Sequence, residues 1–196
     1  AYAELAGAVV VRMPLIRDET SLLKKQISKA ADKSDDVVTS GGVSMGVYDV
    51  TKKALKELGA EVFFERVALR PGKPIVFARL PSGALFFGLP GNPVSVSVTF
   101  NLFTRTALLG MQGATEPVLK QETVVMARAV KGTKDRESYL PAQLTTNDDG
   151  ELIAFPLKWG GSSDFVSFAL TTALAIIPAG VKSVEAGSLV KAIRLP

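Results

Sequence analysis

The stretch TSGGVSMGVYD, residues 39–49, holds the first residue types that could do chemistry. Ser40, Gly41, Gly42 and Ser44 lie between an apolar run and a stretch with helical periodicity. Glycines let backbone amides come close to a ligand, and the serines add hydroxyls. A helix N-terminus adds unpaired N–H groups and partial positive charge, so the pattern describes an anion cradle. Its glycine spacing fits neither the Walker A loop nor the dinucleotide fingerprint. A tight strand-to-helix turn, with glycines serving sterics alone, accounts for the same residues. Asp49 follows and opens a predicted helix over 49–59. A carboxylate beside an anion cradle opposes binding unless a cation lies between them. Asp49 therefore has two readings that can hold together: an N-cap, and a magnesium ligand bridging protein and phosphate.

Three further loops carry polar residues in restricted backbone. RPGKP (70–74) places Arg70 and Lys73 between two prolines at the end of a predicted strand. The prolines limit the backbone, so these cations are less free than on a surface tail; a solubilising turn is the alternative. GLPGNPVS (88–95) contains Pro90, Asn92 and Pro93 at another strand-helix junction. It is either a second cradle wall or a shaped turn with Asn92 capping a helix opened by Pro93. GGSSDF (160–165) brings Ser162 and Ser163, and ordinary loop chemistry accounts for it when taken alone.

Composition narrows the chemistry. The 196 residues contain no cysteine and no histidine. That excludes disulfides, thiolate metal sites, cysteine nucleophiles, Ser-His-Asp triads and histidine-bound zinc. A metal would be held by oxygen, which favours magnesium or a similar hard ion. The formal charge is +4, without basic runs or aromatic-basic interleaving, so nucleic acid is not an expected partner. No apolar run reaches membrane-spanning length and no signal-peptide layout is visible, so no membrane role is expected and the default compartment is the cytoplasm.

These loops need elements to position them. AVVVR (8–12) and DDVVTS (35–40) read as strands buried on both faces. Between them Leu23, Ile27 and Ala30 line one face of a helix capped by Asp18 or Thr20. Val50, Ala54 and Leu58 line a second helix that Gly59 ends. EVFFERVAL (61–69) reads as one strand, and IVFARL and ALFFGL as strands around a PSG turn. PGNPVSVSVTFNLFTRTALLG (90–110) is predicted helical. The alternation implies an α/β, doubly wound parallel sheet over residues 1–114. From 115 to 196 short strands with turn signals, including NDDG (147–150), imply a small all-β domain. The chain opens as if in mid-helix, with Gly7 as its stop, which suggests a fragment.

Taken in order, TSGGVSMGVYDVTK, LRPGKPIVFARL and FGLPGNPVSVSVTF resemble the molybdopterin molybdenumtransferases, the MoeA and gephyrin E-domain family. LIRDE before the first helix and GGSSDFVSFALTTALAIIP near the end are similar too. The resemblance covers nearly the whole chain. It implies an N-terminally incomplete, MogA-like molybdopterin-binding α/β domain followed by a β-barrel. It implies insertion of molybdate into adenylylated molybdopterin (molybdopterin-AMP) with release of AMP, aided by Mg2+. Carried over by motif, Ser40, Gly41, Gly42 and Ser44 would shape the ligand cleft. Asp49 and Lys73 would be catalytic, Asp49 also as metal ligand. Arg70 would face phosphate or molybdate with Lys73. Pro90, Asn92 and Pro93 would form the opposite wall, with Ser162 and Ser163 reaching the cleft. A homodimer is implied, and the adenylyltransferase enzyme is a possible partner. The family's opening strand, its TGDEL-like acidic loop and its xxDSN-like helix start have no counterpart here, so apolar surface is expected where that strand would pack. A molybdopterin adenylyltransferase on the same fold and a non-catalytic scaffold are the rival readings. The appended β-domain and the RPGKP loop argue against the first, and no partner motif supports the second.

Overall fold

The computed structural model describes residues 1–17, 19–42 and 48–196, with Tyr48 and Asp49 described by backbone alone. The chain forms two units. The first comprises Ala1–Val67 and Gly72–Gly113, the second Ala68–Pro71 and Ala114–Pro196.

The first unit is an α/β layer. α1 (Tyr2–Leu5) and α2 (Thr20–Ala31) precede β1 (Asp36–Ser40), and α3 (Tyr48–Leu58) leads into β2 (Glu61–Arg66). β4 (Pro74–Arg79) and β5 (Leu85–Leu89) form a hairpin, because the short turn through Gly83 leaves them no room to run parallel. The sheet order is β1-β5-β4-β2. The expected parallel sheet is instead mixed: β1 and β5 run parallel, while β4 and β2 are antiparallel to their neighbours, since the β4–β5 turn is too short for a crossover. Helices cover both faces. Ile27 of α2, from its predicted stripe, and Leu55 of α3, beside the predicted Val50, Ala54 and Leu58, pack on Val37, Val76 and Phe86. On the other face Phe100 and Leu108 pack on Ile75, Phe87 and Leu89. They belong to one long helical run: α4 (Pro93–Thr99), a π-helical turn (Phe100–Thr104) and α5 (Arg105–Met111). Asn92 sits at the N-cap position and Pro93 at the first turn, without a capping bond from the Asn92 side chain.

Four local expectations are corrected. Residues 8–12 form no strand, and Val9 and Val11 are 96% and 66% exposed. A β-branched run becomes a strand only where its N–H and C=O groups find a ladder, and among the described residues none pairs with it. β1 is likewise not buried on both faces: it is the outer strand, with Val38 exposed. Finally, 61–69 is not one strand. It ends at Arg66, and Leu69–Arg70 forms β3, which pairs with a strand of the second unit. The cap of α2 is Glu19 rather than Thr20, and Asp18 lies outside the described residues.

The second unit is a closed five-strand barrel. β6 (Gln121–Met126), β8 (Glu137–Thr146), β9 (Leu152–Pro156), β10 (Ala173–Ile177) and β12 (Leu189–Arg194) run in the order β10-β12-β6-β9-β8, and β10 pairs with β8 to close the ring. Each of the five strands thus has a ring neighbour on both sides. β3 adds to β8 in parallel, with Leu69 opposite Glu137 and Arg70 opposite Ser138. β7 (Val130–Lys131) and β11 (Ser183–Val184) form a separate ribbon. Val124, Met126, Leu140, Ile177 and Val190 fill the interior. The NDDG segment makes the β8–β9 turn, where the Gly150 amide donates to the Asn147 carbonyl at 3.0 Å. α6 (Phe165–Phe168) bridges β9 to β10.

Candidate active site

Within the first unit the strand register brings three of the singled-out loops to one end of the sheet. Ser40, the last residue of β1, lies opposite Leu89, the last of β5. β4 runs antiparallel to β5, with Val76 opposite Gly88, so its start at Pro74 lies at that same end. The end therefore carries Ser40-Gly41-Gly42, Lys73, and Pro90 with Asn92 and Pro93. Carboxyl ends of parallel strands are where open α/β sheets bind ligands.

The three loops also touch. The Gly41 amide donates to the carbonyls of Leu89 (3.2 Å) and Pro90 (3.3 Å). A Cβ on Gly91 would stand 3.6 Å from the Gly41 Cα, so the two turns pass at backbone distance. Gly41 and Gly42 both have positive φ, +81° and +72°, which side-chain-bearing residues rarely adopt. From the other side, the Thr51 hydroxyl of α3 donates to the Gly42 carbonyl at 3.0 Å. Gly72, at φ +114°, rests on α4, where an added Cβ would meet the Thr99 methyl at 2.5 Å. Thr99 is itself fully buried and donates to the Ser95 carbonyl at 2.8 Å. The Lys73 carbonyl accepts from the Val67 amide at 3.1 Å, and its side chain is exposed. No ion pair joins Lys73 to another of the described residues, and its backbone is fixed, a form suited to an anionic ligand.

Ser44 lies outside the described residues, and so does the Asp49 side chain. The backbone of Asp49 is described: α3 begins at Tyr48, so Asp49 sits inside the first turn rather than at the cap. Among the described residues no group of three or more Asp or Glu could hold a metal ion, and no helix is long and apolar enough to cross a membrane.

The remaining residues belong to the second unit. Arg70 is half-buried on β3. Half-buried Ser162 and exposed Ser163 lie on the loop before α6. That loop is organised by Asp164, whose carboxylate accepts from the amides of Gly160 (2.8 Å) and Ser167 (3.1 Å). The Gly160 amide, followed by Ser167, holds its pKa below the usual carboxylate range.

Sequence reasoning missed Thr51, Thr99 and Asp164. Asp164 was detectable, since an Asp directly before an apolar run is a helix-start signature. The Thr51 hydroxyl reaches Gly42 and the Thr99 methyl lies against Gly72, contacts that no local pattern encodes.

A mixed sheet with helices on both faces, glycine turns gathered at its strand ends, and a closed β-barrel after it define a two-unit protein whose candidate site is built from loops of its first unit. Residues 1–110 match the family described as "Probable molybdopterin binding domain", and the chain belongs to that family. Residues 123–195 match the MoeA C-terminal region, domain IV. Similar proteins include a molybdopterin molybdenumtransferase of Nostoc sp., 34% identical over 97% of this chain and 44% of that protein. The Bacillus subtilis enzyme of the same name is 33% identical over 98% of this chain and 44% of its own. A gephyrin of Dictyostelium discoideum is 32% identical over 91% of this chain and 28% of its own. Among solved structures, a MoeA molybdopterin biosynthesis protein of a Pyrococcus species superposes with a TM-score of 0.72 at 30% identity, over 91% of this chain and 41% of the other. The chain thus spans less than half the length of these relatives.

Proposed function

We propose that the chain serves molybdenum cofactor biosynthesis as part of a molybdopterin molybdenumtransferase, acting where molybdate enters adenylylated molybdopterin and AMP leaves. The observation that carries this reading is the convergence of the 40–42, 72–73 and 90–93 loops at one end of the first unit's sheet. In this reading the glycine turn holds a phosphate of molybdopterin-AMP through backbone amides. Lys73 places positive charge against phosphate or molybdate. Pro90, Asn92 and Pro93 form the facing wall, and their prolines hold it in shape before ligand arrives. Ser44, outside the described residues, is proposed to add its hydroxyl. Arg70, Ser162 and Ser163 of the second unit are proposed as substrate-binding residues. The chemistry asked of the protein is positioning and charge neutralisation, with no covalent protein intermediate.

Magnesium is part of the proposal through Asp49. The described residues offer no carboxylate cluster for it, so Asp49 would share the ion with substrate oxygens, as magnesium sites at phosphates commonly do. When bound, the ion would neutralise phosphate charge. We also propose a cytoplasmic homodimer and contact with the adenylyltransferase that makes molybdopterin-AMP.

The test is AMP release from molybdopterin-AMP in the presence of molybdate, comparing the chain with Lys73→Ala. Loss of about 10²-fold in rate is expected for removing one positioned charge, with unfolding unchanged because Lys73 is exposed. Equal rates would remove Lys73 from the site. Consumption of ATP with molybdopterin, in place of AMP release, would establish the adenylyltransferase reading instead.

A further inference from the structure

We propose that Thr51 is a positioning residue of the glycine turn: it holds the Gly42 carbonyl and so sets the turn for its anionic ligand. The inference rests on the reading in which that turn receives a phosphate of molybdopterin-AMP.

The observation is where Thr51 spends its hydrogen bond. A threonine inside a helix ordinarily donates back to a carbonyl three or four residues earlier in the same helix. Two threonines of this protein do so: Thr99 to Ser95 at 2.8 Å, and Thr106 to Leu102 at 3.0 Å. Thr51, within α3, donates out of the helix to the Gly42 oxygen, nine residues back, at 3.0 Å. Thr51 is 2% exposed, so water does not readily take the place of its hydroxyl's partner.

The turn needs such a tether. Gly41 and Gly42 carry no side chains to pack, and both occupy positive φ, so only hydrogen bonds can hold them. On one side the Gly41 amide is bound by Leu89 and Pro90; on the other the Gly42 oxygen is bound by Thr51. A peptide is planar, so holding that oxygen fixes the plane to which it belongs. It also keeps an acceptor, which would repel an anion, engaged against α3. The tether links the turn directly to the helix that bears Asp49.

Two substitutions separate the hydroxyl from the shape. Thr51→Val keeps the branched side chain and removes the donor; Thr51→Ser keeps the donor and removes a methyl. The probe is molybdopterin-AMP in equilibrium dialysis against the whole chain, with amide exchange at Gly41 followed in parallel. We expect Thr51→Val to weaken binding about tenfold and to speed Gly41 exchange about as much, as loss of one buried hydrogen bond implies. Thr51→Ser is expected within about twofold of the parent on both counts. Should Thr51→Val not fold, Thr51→Ala is read in the same way. Parent-like binding by Thr51→Val, or equal weakening by Thr51→Ser, overturns the inference while leaving the site reading intact. Absence of binding by the parent chain itself overturns the site reading, and the inference with it.

Discussion

Asp36→Asn should stabilise the first unit at neutral and alkaline pH and leave it unchanged near pH 4. Asp36 opens β1, and both its carboxyl oxygens are buried without a hydrogen bond of normal geometry. Burial pushes its pKa from about 3.8 up to about 7, with the Val37 amide offsetting only a part. The folded state therefore keeps a proton that the unfolded chain releases from about pH 4 upward. Where the folded state binds more protons, stability falls as pH rises; here that window runs from about pH 4 to about pH 7. A difference of about three pH units corresponds to about 4 kcal/mol, and water reaching the outer strand trims this to about 2–3 kcal/mol. Asparagine carries no charge to bury, so the variant escapes that loss. The assay is urea unfolding of both proteins from pH 4.5 to 8.5, with Tm as a second measure; the expected gain at pH 8 is about 4–10 °C. The absence of histidine makes the window legible, because no other side chain with an ordinary pKa titrates between about 5 and 8. Parent stability that stays level or rises from pH 5 to 7, or a variant gain as large at pH 4.5 as at pH 8, would refute the argument.

Two further substitutions test the loops. Gly72→Ala must place a Cβ at φ +114° and against the Thr99 methyl; a loss of about 2–4 kcal/mol is expected by urea unfolding, with weakened ligand binding because Lys73 follows directly. Asp164→Ala removes the acceptor for the Gly160 and Ser167 amides, so both should exchange faster with solvent. The lowered Asp164 pKa means this bond adds stability above the ordinary carboxylate pKa and loses it as pH falls through the folded-state value, so parent and variant should converge in strong acid.

Local chemistry carried much of the architecture. The PSG and NDDG turns and the Asn92-Pro93 helix opening are written in a few adjacent residues whose backbone preferences admit few conformations. The candidate loops were legible for the same reason: glycine and proline mark where backbone must bend, and the ends of strands are where it bends. What was not legible depends on partners. AVVVR has the composition of a strand but no ladder to join. EVFFERVAL has one continuous pattern, yet its last residues pair with Glu137 and Ser138, a destination that periodicity cannot name. Thr51 and Thr99 look alike in sequence; only the fold sends one hydroxyl to a distant carbonyl and the other back into its own helix.

The excursion of residues 68–71 makes the two units hard to inherit separately. A cut at residue 114 leaves β3 on the wrong piece, so the barrel would lose its added strand and the α/β layer would keep four residues with nothing to pair. The chain crosses between the units three times, after Val67, Pro71 and Gly113. A gene fusion or exchange that moved the barrel alone would have to repair all three crossings at once. During synthesis β3 emerges well before β8, so the α/β layer must close around a loop that waits for its partner. The Val67–Lys73 hydrogen bond closes the neck of that loop from within the first unit.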